Sequence, residues 1–72
     1  MQRKEGKMRE ITTLTFIDNK SQSDGVLIIR GSENEISLCL SVLNGGDIEV
    51  RLSPENAKKV IGGLEEAINN VN

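Results

Sequence analysis

The sequence has 72 residues, with no His, Trp or Tyr, one Cys, one Pro and a formal net charge of −2. A chain of this size buries only roughly 60% of its unfolded surface, so one small core barely stabilises it. Without His, the usual catalytic triads and His-based metal sites are excluded, and one Cys cannot form an internal disulfide. We therefore expect a non-enzymatic domain with no catalytic residues, cofactor or metal, stabilised by association with a second copy.

The N-terminal residues 1–9 carry four basic residues and one acidic residue without a hydrophobic period. This pattern predicts a flexible arm in front of a single domain at residues 10–72. Met8 lies inside the arm and is an alternative translation start. The candidate contacts to nucleic acid are the cations of this arm: Arg3, Lys4, Lys7 and Arg9. Nucleic acid is nevertheless a disfavoured partner, because the chain is net acidic and has a single aromatic residue.

The first three predicted strands follow from composition and alternation. Residues 10–17 are rich in Thr, Ile, Leu and Phe, and residues 26–29 form a short apolar run after a polar loop at 18–25. Residues 35–43 alternate, with apolar side chains at the even positions, so one side of this strand faces a core. The second strand is apolar on both sides, which leaves open the face that it turns toward a covering helix.

A hairpin is predicted at residues 44–47, leading into a fourth strand at 48–52. A two-residue loop would place the apolar side chains of the third and fourth strands on opposite faces of the sheet. A three-residue loop at 44–46 instead pairs Val42 with Ile48 and keeps those side chains on one face. The bulge typical of such a loop predicts a positive φ at Gly46.

A C-terminal helix is predicted from its start signal and its period. Ser53 is a suitable N-cap and Pro54 is favoured at the first helical position. Apolar residues recur at three- and four-residue spacing over 57–71, which is typical of an amphipathic helix, and Asn69 or Asn70 can end it. We expect this helix to pack on one face of the sheet.

Two glycines interrupt the predicted helix, and each costs about 1 kcal/mol relative to Ala. Gly62 points away from the apolar side of the helix, whereas Gly63 flanks it. Gly63 and Ala67 are therefore candidate close-packing positions, where a strand or a second helix approaches the backbone.

Together these elements predict an α+β fold, a four-stranded antiparallel β-meander with one C-terminal helix packed on one face (ββββα), dimeric through the sheet. The face opposite the helix has no covering element in the chain, and it mixes apolar and hydroxyl side chains. Exposed patches of this kind mark interaction surfaces. The candidate interaction face consists of Ile11, Thr13, Thr15, Ile17, Ser37, Cys39, Ser41 and Leu43.

The favoured function is a small protein-interaction module of the inhibitor, immunity or phage counter-defence type, acting as a homodimer with a protein partner. One alternative is a small-molecule or nucleotide site in a dimer groove lined by Thr13, Thr15, Ser37 and Ser41. A further alternative is a nucleic-acid accessory protein that uses the basic arm. No apolar run has the length of a membrane span or a secretory signal, and with a single Cys this predicts a cytoplasmic protein.

The segment V-R-L-S-P-E-N-A-K-K-V-I-G-G-L-E-E-A-I at residues 50–68 resembles the strand-then-helix ending of many small bacterial and bacteriophage proteins. This resemblance implies a strand followed directly by a helix. It carries no functional residue over to the chain.

Overall fold

A computed structural model describes residues 8–71 of the chain. They form four strands and one helix: β1 (Arg9–Ile17), β2 (Asp24–Gly31), β3 (Ile36–Val42), β4 (Gly46–Leu52) and α1 (Pro54–Asn70). The strands lie in chain order and each pairs antiparallel with the next. The ββββα order and the antiparallel meander predicted from the sequence are confirmed. Residues 1–7 of the predicted arm lie outside the described residues, and Arg9 begins β1.

The β3–β4 hairpin keeps the predicted faces but not the predicted register. Leu40 pairs with Ile48, so the prediction that Val42 pairs with Ile48 was wrong by two residues. The loop consists of residues 43–45, closed by a 2.7 Å hydrogen bond from the Gly45 N–H to the Val42 carbonyl. Because the slip is an even number of residues, every side chain stays on its expected face of the sheet.

Two features of the hairpin account for the observed register. Asn44 and Gly46 both adopt positive φ, at 66° and 89°, and the value at Gly46 confirms the prediction for that residue. The observed register also places Ser41 opposite Asp47, where the hydroxyl donates a 2.7 Å hydrogen bond to the carboxylate. Loop geometry and this cross-strand bond together favour a three-residue loop that begins one residue earlier than predicted, which moves Leu43 out of the strand.

The β1–β2 connection is a hydrogen-bonded turn built on Asp18. One oxygen of its carboxylate accepts hydrogen bonds from the backbone N–H of Ser21 at 2.7 Å and from the Ser21 hydroxyl at 2.9 Å. Its backbone carbonyl accepts from the N–H of Gln22 at 2.7 Å, and Gln22 has a φ of 62°. Asp and Ser thus bond to the nearby backbone as they commonly do in turns.

The hydrogen bonds from Ser21, that of its backbone first, lower the pKa of Asp18 below the ordinary value of 3.8. Because folding lowers the pKa of Asp18, its ionised carboxylate stabilises the folded chain fully at pH values above the pKa of the unfolded chain. This stabilisation is lost as the pH falls through the pKa of Asp18 in the folded chain. We expect the Asp18 carboxyl resonance to titrate below pH 3.8 in an NMR experiment. In the Ser21→Ala variant, which lacks the hydroxyl donor, the midpoint should move up toward the ordinary value. A wild-type midpoint at or above that value would contradict the turn.

Gly25 and Phe16 form a close cross-strand contact between β1 and β2. The two residues are paired in register, and Gly25 is buried under the aromatic ring. A Cβ atom at Gly25 would lie 2.5 Å from the Cζ atom of Phe16, which is far inside van der Waals contact. The missing side chain at Gly25 is therefore what allows the ring to lie over β2.

The Gly25→Ala variant should displace the Phe16 ring and lower the free energy of unfolding by roughly 1–3 kcal/mol, as overpacking typically does. The matched control is Gly31→Ala at the other end of β2, where a Cβ atom would lie 3.8 Å from the Ile11 Cγ1 atom, an ordinary contact. The control should be neutral or stabilising by about 0.5–1 kcal/mol, because glycine weakens a strand. Denaturant unfolding of both variants measures the difference, and equal midpoints would contradict this account of the contact.

The helix begins and ends as predicted. The Ser53 Oγ atom accepts a 3.1 Å hydrogen bond from the Asn56 N–H, Pro54 occupies the first turn, and the helix ends at Asn70. The expectation that it packs on a sheet face was wrong. None of its residues is buried, and its main contacts are with β4, the strand that precedes it.

The connection between β4 and α1 explains why the helix does not fold back. A single residue, Ser53, joins them, and it is extended with φ −71° and ψ 160°. A residue before proline avoids the helical conformation, so Ser53 cannot readily reverse the chain. A seven-residue strand spans about 23 Å and a seventeen-residue helix about 26 Å. The 49 Å long axis of the molecule matches these two elements laid end to end, so α1 projects outward.

Candidate interaction surface

The strand register gathers apolar side chains on one side of the sheet. Paired residues share a face and alternate along each strand, so a single side holds rows such as Leu14, Leu27, Leu40 and Ile48. We call this side the apolar face. It comprises Ile11, Leu14, Phe16, Leu27, Ile29, Ile36, Leu38, Leu40, Val42, Ile48, Val50 and Leu52.

Ile11 reaches the apolar face because the register of β1 shifts beside it. Glu10 pairs with Arg30 and Thr12 pairs with Ile29, which leaves Ile11 as an extra residue in β1. A bulge of this kind interrupts the alternation of side chains. The Ile11 Cγ1 atom lies 3.8 Å from the position that a Cβ atom would take at Gly31. Gly31 pairs with Ile36, which belongs to the apolar face. The sequence prediction placed Ile11 on the opposite face because strict alternation was assumed for β1.

No element of the described chain covers the apolar face. Leu14 is 52% exposed, Ile48 is 59% exposed and Leu40, in the middle of the sheet, is 37% exposed. None of the hydrophobic side chains described between residues 8 and 71 is fully buried. The sheet therefore presents a continuous apolar surface in the place where a core would normally lie.

A second apolar surface runs along the projecting helix. We call it the helix stripe, and its members are Ala57, Val60, Ile61, Leu64, Ala67, Ile68 and Val71. Leu64 is 60% exposed and Ile68 is 71% exposed. An amphipathic helix normally directs such a stripe at a core. In this chain the stripe and the apolar face are both exposed, and they do not cover each other.

The opposite side of the sheet, the polar face, is satisfied by hydrogen bonds within the chain. The Ser37 side chain is fully buried and its hydroxyl donates a 2.7 Å hydrogen bond to the Glu49 Oε2 atom. The Ser41 hydroxyl bonds to Asp47 as described above, and the Thr13 hydroxyl donates to the Glu10 carboxylate. These three hydroxyls therefore already donate hydrogen bonds to carboxylates of neighbouring side chains in the sheet.

Arg51 extends this polar network where β3 begins and β4 ends. Its guanidinium lies 3.7 Å from the Glu35 Oε1 atom and 3.8 Å from the Glu49 Oε2 atom. Arg51 and Arg30 are the register partners of Ser37 on the two neighbouring strands, so their long side chains flank the buried hydroxyl. Exposed ion pairs such as these contribute little to stability.

The structure separates the candidate interaction residues into different environments. The polar face carries most of the set, namely Thr13, Thr15, Ile17, Ser37, Cys39 and Ser41, whereas Leu43 lies in the β3–β4 loop. Cys39 is half-buried between the register partners Ile28 and Glu49.

The hydroxyl set proposed for a small molecule is not gathered into one site within the chain. Val26 lies between Thr15 and Ser41, and Ser37 is buried. A shallow open depression of about 450 Å³ instead lies at the β1–β2 end of the sheet. Its lining consists of Thr15, Phe16, Ile17, Asp24 and Gly25.

The candidate close-packing positions Gly63 and Ala67 lie on the exposed helix. A Cβ atom at Gly63 would have no neighbour within 4 Å, and the same holds at Gly62. Nothing in the described part of the chain therefore approaches the helix at Gly63. The space beside Gly63 that the sequence predicts for a close contact is exposed to solvent in the described chain.

The nucleic-acid candidates Arg3, Lys4 and Lys7 lie outside the described residues, and Arg9 is exposed at the start of β1. Residues 8–71 contain no cluster of three or more acidic, Cys or His side chains placed to hold a metal ion. Within the same residues, no helix is both long and apolar enough to cross a membrane.

Sequence reasoning missed the exposure of the apolar face. A signal for it was present in Ser53 and Pro54, because a one-residue link before proline directs the helix away from the sheet. In comparisons with known proteins, no family model, curated protein or solved structure matches the chain.

Proposed function

We propose that the chain is a non-enzymatic protein-interaction module that acts as a homodimer, in the manner of small inhibitors, immunity proteins or phage counter-defence factors. The exposed apolar face is the observation that carries this proposal. It occupies one whole side of the sheet, and its central residue Leu40 remains 37% exposed. Large contiguous apolar surfaces of soluble proteins usually contact other proteins.

Burial of the exposed apolar side chains would also stabilise the folded chain. Fully burying a Leu, Ile or Val side chain contributes roughly 1.5–3 kcal/mol, and small domains have a net stability of about 5–15 kcal/mol. The apolar face and the helix stripe hold most of the large apolar side chains of the chain, and none is fully buried in the described residues. Covering these two surfaces supplies the stabilisation that a single copy lacks.

The small-molecule alternative receives weaker support than protein binding. The hydroxyls of Ser37 and Ser41 already donate to carboxylates, so a ligand would have to displace those bonds. The open depression at Phe16 encloses too little of a ligand to resemble the pockets that usually bind small molecules.

The proposed homodimer predicts that stability depends on the concentration of the chain. The thermal unfolding midpoint should rise over about a hundredfold range of chain concentration, because association stabilises the folded state by mass action. The proposed partner predicts a stoichiometric host protein that is retained by the immobilised chain and is lost when the chain is denatured beforehand. A concentration-independent midpoint together with no stoichiometric partner would contradict the proposed function.

A further inference from the structure

We infer that helix α1 of each copy lies on the apolar face of a second copy, so that the two chains exchange helices. This inference rests on the proposed homodimer and specifies the contact that forms it. The occupant of the apolar face is therefore a segment of the same sequence, residues 54–70, contributed by the other chain.

The first support is that the chain carries two matching surfaces that it does not join itself. The helix stripe and the apolar face are both apolar, and their side chains are half to two-thirds exposed at Leu14, Ile48 and Leu64. A sheet-to-sheet dimer would cover the apolar face but would leave the helix stripe in water. Helix exchange covers both surfaces in a single arrangement.

The second support is the size and direction of the helix. Its seventeen residues span about 26 Å, close to the roughly 23–30 Å length of the strands in the sheet. The extended Ser53 and Pro54 direct the helix past the end of β4, where it can contact a second copy. Exchange of an identical element between copies is a common route to dimers when a short link prevents closure within one chain.

The third support comes from the two glycines of the helix. Gly63 flanks the helix stripe, whereas Gly62 points away from it, and neither has a neighbour within 4 Å of its Cβ position in the described chain. Glycine inside a helix is unfavourable, so an isolated helix has no use for it at Gly63. If the helix lies on the strands of a second copy, the missing side chain at Gly63 allows the helix backbone to approach that sheet closely.

The test is cross-linking between single-cysteine variants. All variants carry Cys39→Ser, which removes the native thiol. One chain then carries Leu40→Cys at the centre of the apolar face, and a second chain, labelled by a different mass, carries Leu64→Cys on the helix stripe. The two are mixed, unfolded and refolded together, and treated with a short bismaleimide. Thr15→Cys on the polar face and Asn69→Cys on the outer side of the helix are the matched controls.

Helix exchange predicts a cross-link between the Leu40→Cys chain and the Leu64→Cys chain, with loss of the product when either control replaces its counterpart. Efficient cross-linking of Leu40→Cys chains with one another would overturn the inference in favour of sheet-to-sheet contact. Cross-linking of Leu64→Cys chains alone would overturn it in favour of paired helices. A dimeric mixture with no cross-link between face and helix would overturn it too.

The two proposals fail differently in this experiment. If circular dichroism shows folded variants and sedimentation shows single chains, the homodimer itself is absent and the proposed function fails with it. If the variants form dimers that cross-link face to face, the homodimer remains and only the helix exchange is wrong. Sedimentation of each variant before cross-linking therefore separates the two cases.

Discussion

Introducing a charge at the centre of the apolar face through Leu40→Lys should dissociate the proposed dimer and destabilise the fold. In a single copy Leu40 is 37% exposed, so a lysine at this position can keep its ammonium group in water and costs less than a buried charge. In the proposed dimer the same position is covered, and an unpaired charge there would cost roughly 3–5 kcal/mol. Each dimer contains the substitution twice, so the loss of association should be nearly complete at micromolar concentration.

Thr15→Lys on the polar face is the matched control for this prediction. It adds the same charge to the same sheet at an exposed position, and the register places it on the side opposite Leu40. We expect Thr15→Lys to keep the wild-type mass and unfolding midpoint, and Leu40→Lys to lose both. Equal behaviour of the two variants in sedimentation and denaturant unfolding would show that the apolar face is not covered.

The second large effect is expected at Leu64 in the middle of the helix stripe. Leu and Lys have nearly equal helix propensities, so Leu64→Lys leaves an isolated exposed helix almost unchanged. In the proposed exchanged dimer the substitution would remove roughly 1.5–3 kcal/mol of apolar burial per chain and add the desolvation of a charge. The variant should therefore shift the monomer–dimer equilibrium strongly toward single chains.

Asn69→Lys controls for charge on the helix. It adds one positive charge near the C-terminal end, on the outer side of the helix, where a cation is mildly favourable. We expect this variant to associate like the wild type, while Leu64→Lys associates far more weakly in sedimentation experiments. Normal association of Leu64→Lys would exclude the helix stripe from the interface, even if Leu40→Lys behaved as expected.

Local patterns in the sequence were sufficient for the elements of the fold. The Thr- and Ile-rich run predicted β1, the alternation over 35–43 predicted β3, and Ser53 with Pro54 predicted the helix start. The positive φ at Gly46 followed from the hairpin type. Each of these features depends on neighbours within a few residues along the chain, and such preferences are visible in the sequence itself.

The misplaced features depend on contacts that local patterns do not record. The slip of two residues in β3–β4 preserves every face, so alternation alone cannot distinguish the two registers. The bulge that moves Ile11 to the apolar face adds one residue to β1 without a sequence signal such as Gly. The register of the β3–β4 hairpin is instead decided by loop geometry and by cross-strand hydrogen bonds such as that from Ser41 to Asp47.

The sequence predicted one uncovered face of the sheet, and the structure leaves the apolar face uncovered as well. The sequence indicated that a chain this short leaves one sheet face uncovered, and it assumed that α1 covers the apolar one. The one-residue link at Ser53 directs the helix outward, so the apolar face is exposed in addition to the polar face. The exposure of the apolar face thus depends on the path of the chain at a single residue.

Sedimentation equilibrium of the wild-type chain over a range of concentrations tests the central claim most directly. The account predicts a mass of twice the 7.9 kDa of one chain, falling toward a single chain on dilution with a parallel loss of structure. A stably folded species with the mass of one chain at high micromolar concentration would contradict the claim that the apolar face is a protein-contact surface covered by a second copy.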